Sequence, residues 1–134
     1  MSVNEIRVSA AVITDDAGRA LVVRKRGTTL FMQPGGKPEP GESAAEALVR
    51  EVAEEIGLVV DADILRPLGT FRADAANEPG RTVVADAFAL VVEPADVAPL
   101  AEIEEARWIT AADLDAVPLA RLSRDLLLPL VLRS

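Results

Sequence analysis

The stretch that most restricts the fold is residues 43–57, where the spacing of apolar residues changes from that of strands to a period of 3.6. Ser43 precedes Glu46 by three positions, the spacing of a capping box, and Gly57 can end the helix, so both helix ends are written locally. On a helical wheel Ala45, Val49, Val52, Ala53 and Ile56 form an apolar arc that should bury. Glu51, Glu54 and Glu55 lie together on another arc.

Strand composition surrounds this helix. Residues 6–14 and 20–26 are expected to form a hairpin around Asp15, Asp16, Ala17 and Gly18. Residues 31–33 read as short and extended, because the position before Pro34 disfavours helix, and a loop follows to Gly41. Beyond the helix, residues 64–73 and 81–92 read as strands around a turn at Asn77, Glu78, Pro79 and Gly80. Residues 107–109 read as a short last strand, 111–115 as a helical turn capped by Thr110, and 119–132 as an amphipathic helix kinked or ended by Pro129. This irregular interleaving implies one domain over residues 1–134, a mixed sheet with helices on its faces.

Composition narrows the chemistry. The 134 residues contain no His and no Cys, which excludes imidazole bases, thiolate nucleophiles, disulfides and Cys-ligated zinc. With only three Phe and one Trp as aromatics, the core must be aliphatic. Carboxylates remain as bases, nucleophiles or ligands for hard divalent cations, so any metal site should be all-oxygen. A formal net charge of -8 argues against broad binding to a nucleic-acid backbone. An anionic substrate would need a metal or the local cluster of Arg24, Lys25, Arg26 and Lys37, which otherwise is a solvated strand end. Without a membrane-length apolar run or a signal-peptide pattern, the expected location is cytoplasmic, with no membrane partner. An edge strand or the Leu-rich terminal helix could pair with a second copy as a homodimer, or equally close the core of one chain.

Like charges at i, i+3 and i+4 destabilise an isolated helix by about 0.2–0.5 kcal/mol per pair. A divalent cation above the helix would reverse that repulsion at Glu51, Glu54 and Glu55; the alternative is a plain solvated acidic face. The neighbouring residues bear on that choice. Gly36, Glu42, Arg50, Glu51, Val52, Glu54, Glu55, Gly57 and Leu58 stand in GKPEPGESAAEALVREVAEEIGL, which resembles at every specified position the signature of the Nudix hydrolases.

The resemblance implies an α/β/α sandwich of the Nudix type and Mg²⁺- or Mn²⁺-dependent hydrolysis of a nucleoside diphosphate linked to another moiety. It also implies that Glu54 and Glu55 hold the metal, joined by Glu51 as ligand or base and by the Gly36 carbonyl. Arg50 would orient the glutamates and Glu42 fix the loop to the helix. A further acidic ligand from a later loop is expected at Glu102, with Glu105 as second choice. Arg24 and Lys37 are candidates for phosphate, and Phe31, Gln33 and Asn77 for the base. Trp108 and, by the usual habit of Phe, Phe31 have a place in the core as the competing reading.

Among Nudix branches, the lack of Tyr speaks against dinucleoside polyphosphate hydrolases, and the lack of Cys against the isopentenyl diphosphate isomerases. The proline of ADP-ribose hydrolases and the SQPWPFPxS run of the NADH type are also missing. A MutT-like nucleoside triphosphate pyrophosphatase of loose base selectivity is the expectation. Hydrolysis of ADP-ribose, nucleotide sugars or another conjugate stands as an alternative, and a non-catalytic nucleotide-binding module as a second.

Overall fold

Strand β1 (Glu5–Thr14) turns at Asp15 into β2 (Ala20–Lys25). The buried Asp15 carboxylate accepts hydrogen bonds from the backbone N–H groups of Ala17 and Arg19 and from the Arg19 side chain, closing the hairpin. The computed structural model describes residues 4–75 and 78–132. In it β3 (Gly35–Gly36), β4 (Arg66–Asp74), β5 (Thr82–Val91) and β6 (Ile103–Ile109) complete a six-stranded sheet of order β4-β5-β1-β2-β6, with β3 against β1. The sheet is mixed: β1 and β5 run parallel from Glu5↔Thr82 to Thr14↔Val91, and the other neighbours are antiparallel.

Both faces of β1 are covered, as its near-continuous apolar run requires. Ala11 and Ile13 pack with Leu21, Val23 and helix α1 (Ala44–Ile56), through Leu48, Val52 and Ile56. Ala10 and Val12 pack on the opposite face with Ala85, Ala87, Leu122 and Leu127 from β5 and the C-terminal segment. The result is an α/β/α sandwich, the layering that the resemblance implies.

Helix α1 starts and stops where its sequence directs. The Ser43 Oγ accepts from Glu46 N–H at 3.1 Å, Glu46 accepts from Ser43 N–H at 2.8 Å, and Gly57 ends the helix at φ 71°. Its buried face, however, is turned from the expected arc. Ala47, Leu48, Val52, Glu55 and Ile56 are buried, whereas Ala45, Val49 and Ala53 are half-buried. The helix is turned towards β1 and β3, where Ser9 Oγ donates to the Ala44 carbonyl and Gly35 N–H to the Glu55 side chain. Residues 98–100 cross its end, with Ala98 and Leu100 N–H donating to the Ile56 and Glu55 carbonyls.

Other elements shift for comparable reasons. Residues 62–64 form a 3-10 turn before β4 begins, and β6 starts at Ile103 rather than 107 because it pairs with β2 as far as Lys25. The turn at 111–113 has its Thr110 cap, with Asp113 closing the box. The C-terminal segment is not the expected α-helix over 119–132. Leu119 is extended beside Phe31, a π-helix occupies Leu122–Leu127, and a 3-10 turn carries Pro129 over Leu128–Leu130. Trp108 is half-buried, with the Arg19 guanidinium 5.9 Å from its ring centroid. No helix among the described residues is long and apolar enough to cross a membrane.

Candidate active site

β1 parts from β2 after the Thr14↔Ala20 pair, and the gap is filled by Gly35 and Gly36 against Ala10 and Ser9. Met32 bridges to Val23 below them, and Ala11 N–H donates to the Pro34 carbonyl at 2.8 Å. A cleft of about 430 Å³ opens there, running from these glycines along Ile6, Val8 and Ala10 to Leu122 and Ser123.

The two glycines seat two box carboxylates. Gly35 N–H donates to Glu55 Oε1 at 3.0 Å. At Gly36 a Cβ would fall 2.6–2.8 Å from the carboxyl atoms of Glu51, so only a residue without one lets that carboxylate lie against the strand. Gly35 cannot be replaced either: at φ 153° its Cβ would stand 2.0 Å from the Ser9 carbonyl oxygen. Glu55 is buried, and its Oε2 has no hydrogen-bond partner among the described residues. Burial and the neighbouring Glu51 push its carboxyl up to about 8, against the opposing pull of Gly35 N–H and Lys25.

Arg50 ties the loop to the helix. Its Nε and Nη2 donate to the two oxygens of Glu42 at 2.8 and 2.9 Å, Nη1 donates to Glu51 at 2.7 Å, and Nη2 reaches the Lys37 carbonyl at 3.1 Å. Those Arg50 bonds, with Glu39 N–H at 2.7 Å, hold the Glu42 carboxyl down at about 2. Glu54 is held more loosely, more than half exposed and 3.5 Å from Arg50 Nη1. The three helix carboxylates therefore do not meet at one point as the wheel suggests. Arg50 draws Glu51 and Glu54 to itself while Gly35 holds Glu55 inward, and among the described residues no three acidic side chains form a ready metal cluster.

The remaining candidates divide between the two faces. Gln33, Gly36, Lys37 and Glu102 line the cleft with Arg50 and Glu51. Glu102 is 3.5 Å from the Lys25 ammonium, which also enters the cleft. Arg24 and Glu105 are not among the lining residues: they pair at 3.5 Å, and Arg24 donates to the Thr28 carbonyl. Glu105 is held below its usual range by hydrogen bonding from Arg107, with Arg24 adding to it. Phe31 is buried in the core next to Val22 and Ile109, with the Arg107 and Arg24 guanidinium groups 4.8 and 5.9 Å from its centroid. Gly57 is the helix cap, and Asn77 lies outside the described residues.

Lys25 was legible only as one charge in a basic cluster. Strand alternation carries the missing signal, since Lys25 shares parity with Leu21 and Val23, whereas Arg24 follows Ala20 and Val22 to the other face. Ser123 and Met32, also in the cleft wall, had no such signal.

A hard divalent cation fits the donor set here. Two carboxylates in contact, one with a buried oxygen lacking a partner, are stabilised by a shared cation or proton, and every available donor is oxygen.

A family model described as NUDIX domain matches residues 4–130. The chain is 35% identical over 106 residues, 77% of its length and 28% of the other's, to the NAD-capped RNA hydrolase ndx-9 of Caenorhabditis elegans. It spans under a third of the length of the first curated relatives it matches. Among solved structures it resembles the MutT protein of Methanosarcina mazei Go1, at 26% identity and TM-score 0.75, covering 93% of this chain and 91% of that one. The dihydroneopterin triphosphate pyrophosphohydrolase of E. coli shares the fold at TM-score 0.76 and 22% identity, covering 93% and 94% of the two chains.

Proposed function

The chain belongs to the Nudix hydrolase family, and on that premise we propose that it hydrolyses the phosphoanhydride of a nucleoside triphosphate in the manner of the MutT-like pyrophosphatases, with Mg²⁺ or Mn²⁺. The observation that carries this reading is the seating of Glu55 on Gly35 and of Glu51 on Gly36, with Glu51 and both glycines lining a cleft. Glu51, Glu54 and Glu55 would hold the cation, with Glu102 and the Gly36 carbonyl as further oxygen donors. When bound, that ion supplies charge neutralisation to the diphosphate oxygens.

The chain's own residues do the rest. Glu51 is the helix carboxylate that lines the cleft, which supports a role for it as ligand or as the base that takes the proton of the attacking water. Arg50 fixes its direction through a 2.7 Å hydrogen bond and anchors the helix to the 37–42 loop. Lys25 and Lys37 supply positive charge at the cleft mouth for phosphate oxygens.

Hydrolysis of a dinucleotide or other nucleotide conjugate is a second reading, favoured by the name of the 35% identical relative, which refers to NAD-capped RNA. Product analysis with dGTP, dATP, dCTP, dTTP, ADP-ribose, NADH and a nucleotide sugar, each with Mg²⁺ or Mn²⁺, separates the two. Release of pyrophosphate and a monophosphate from a triphosphate, lost in Glu54→Gln and Glu51→Gln proteins that still fold, is the expected result. Inertness towards all seven would leave a non-catalytic binding module.

A further inference from the structure

Gln33 stands out in the cleft. It is 7% exposed and lines the cleft, and neither its amide oxygen nor its amide nitrogen has a hydrogen-bond partner among the described residues. Burying an amide with no bond at either end opposes folding, and a Leu of similar volume would avoid that opposition. The described residues that line the cleft with it include the aliphatic Val8, Met32, Val83 and Leu122, and no aromatic ring. Such a slot takes a flat ring between its methyl and methylene groups, and the amide then faces the ring's polar edge.

Resting on the triphosphate reading above, we propose that Gln33 is the specificity-determining side chain, pairing through both amide atoms with the hydrogen-bonding edge of the nucleobase. An amide presents one donor and one acceptor side by side, and every nucleobase offers an adjacent acceptor and donor. With no bond from the described residues to fix its orientation, the Gln33 amide can rotate by half a turn and match either order. It accepts bases generally and rejects leaving groups with no such edge. Loose base selectivity follows from the unpaired amide itself.

Two substitutions test this on the intact chain with dGTP, dATP, dCTP and dTTP. Gln33→Leu should raise KM about tenfold or more for every accepted triphosphate. The change should fall on KM rather than kcat, and the melting temperature should not drop, because a buried unpaired amide has been removed. Gln33→Glu keeps the shape but replaces the donor with an acceptor. It should shift kcat/KM towards dGTP, whose N1–H and N2–H are adjacent donors, by about tenfold relative to dATP. A KM unchanged in Gln33→Leu, or an unaltered base ranking in Gln33→Glu, overturns the proposal while leaving the hydrolase reading intact. A wild-type chain that cleaves none of the four removes the triphosphate reading first, and this proposal with it.

Discussion

The two layers that cover the sheet are held by different physics. Helix α1 carries its own start and stop, a reciprocal Ser43–Glu46 cap and a left-handed Gly57, and it presents the charged groups of the site. The opposite layer, from Leu119 through Leu132, has no side-chain cap on its π or 3-10 turns and stays in place by burying Leu122, Leu127 and Leu128. One layer is specified locally and sets electrostatics; the other is specified by the sheet it lies on and shapes the cleft. A locally capped helix tolerates changes in its surroundings, whereas a segment held by packing depends on each large side chain.

The contrast should break most visibly at Leu127, which is fully buried. Leu127→Ala should destabilise the protein by about 2–5 kcal/mol in urea unfolding. A loss below 1 kcal/mol would mean the C-terminal layer has support other than burial. On the α1 side, Gly36→Ala should displace the Glu51 carboxylate and lower kcat about a hundredfold with the fold retained, as steady-state kinetics and circular dichroism would show.

A pH series separates the layers further. The Glu55 carboxyl is raised to about 8 in the folded chain, so the fold favours its protonated form. In EDTA, the stability contributed by Glu55 should be complete below the unfolded carboxyl value near 4.5. It should fall as pH rises from there through 8, with a slope of at most about 1.4 kcal/mol per pH unit. Glu55→Gln should flatten that slope, and a flat profile in the unaltered protein would refute the burial argument. The smallest effect is expected at the helix start, where Ser43→Ala removes one cap and should cost about 1 kcal/mol in the same unfolding assay.

What could be read from the amino-acid order follows the same division. The capped helix, the hairpin at Asp15 and the glycine-to-leucine signature depend on contacts within a few residues, and these elements stand where they were expected. The buried position of Glu55 was not legible, because its carboxylate is seated by the N–H of Gly35, distant in sequence. Strand alternation sets Lys25 and Arg24 on opposite faces, but nothing local says which face holds the cleft. The acidic run at 102–107 resembled a loop, yet from Ile103 onward it pairs with β2, with Glu104 left in solvent. Leucine spacing over 119–132 suggested an α-helix, but Leu119 is held in extended form by Phe31, whose N–H donates to Pro118 and whose carbonyl accepts from Ala120.

Arg50 has a consequence of its own. Glu39, Glu42, Glu51 and Glu54 all come within 4 Å of this single guanidinium, so the knot keeps three uncompensated negative charges. Such a knot gathers doubly charged ions from bulk solution by long-range attraction, before any oxygen binds them. That enrichment reaches only as far as the Debye length, about 8 Å at physiological ionic strength, so half-saturating Mg²⁺ should climb steeply as potassium chloride is added.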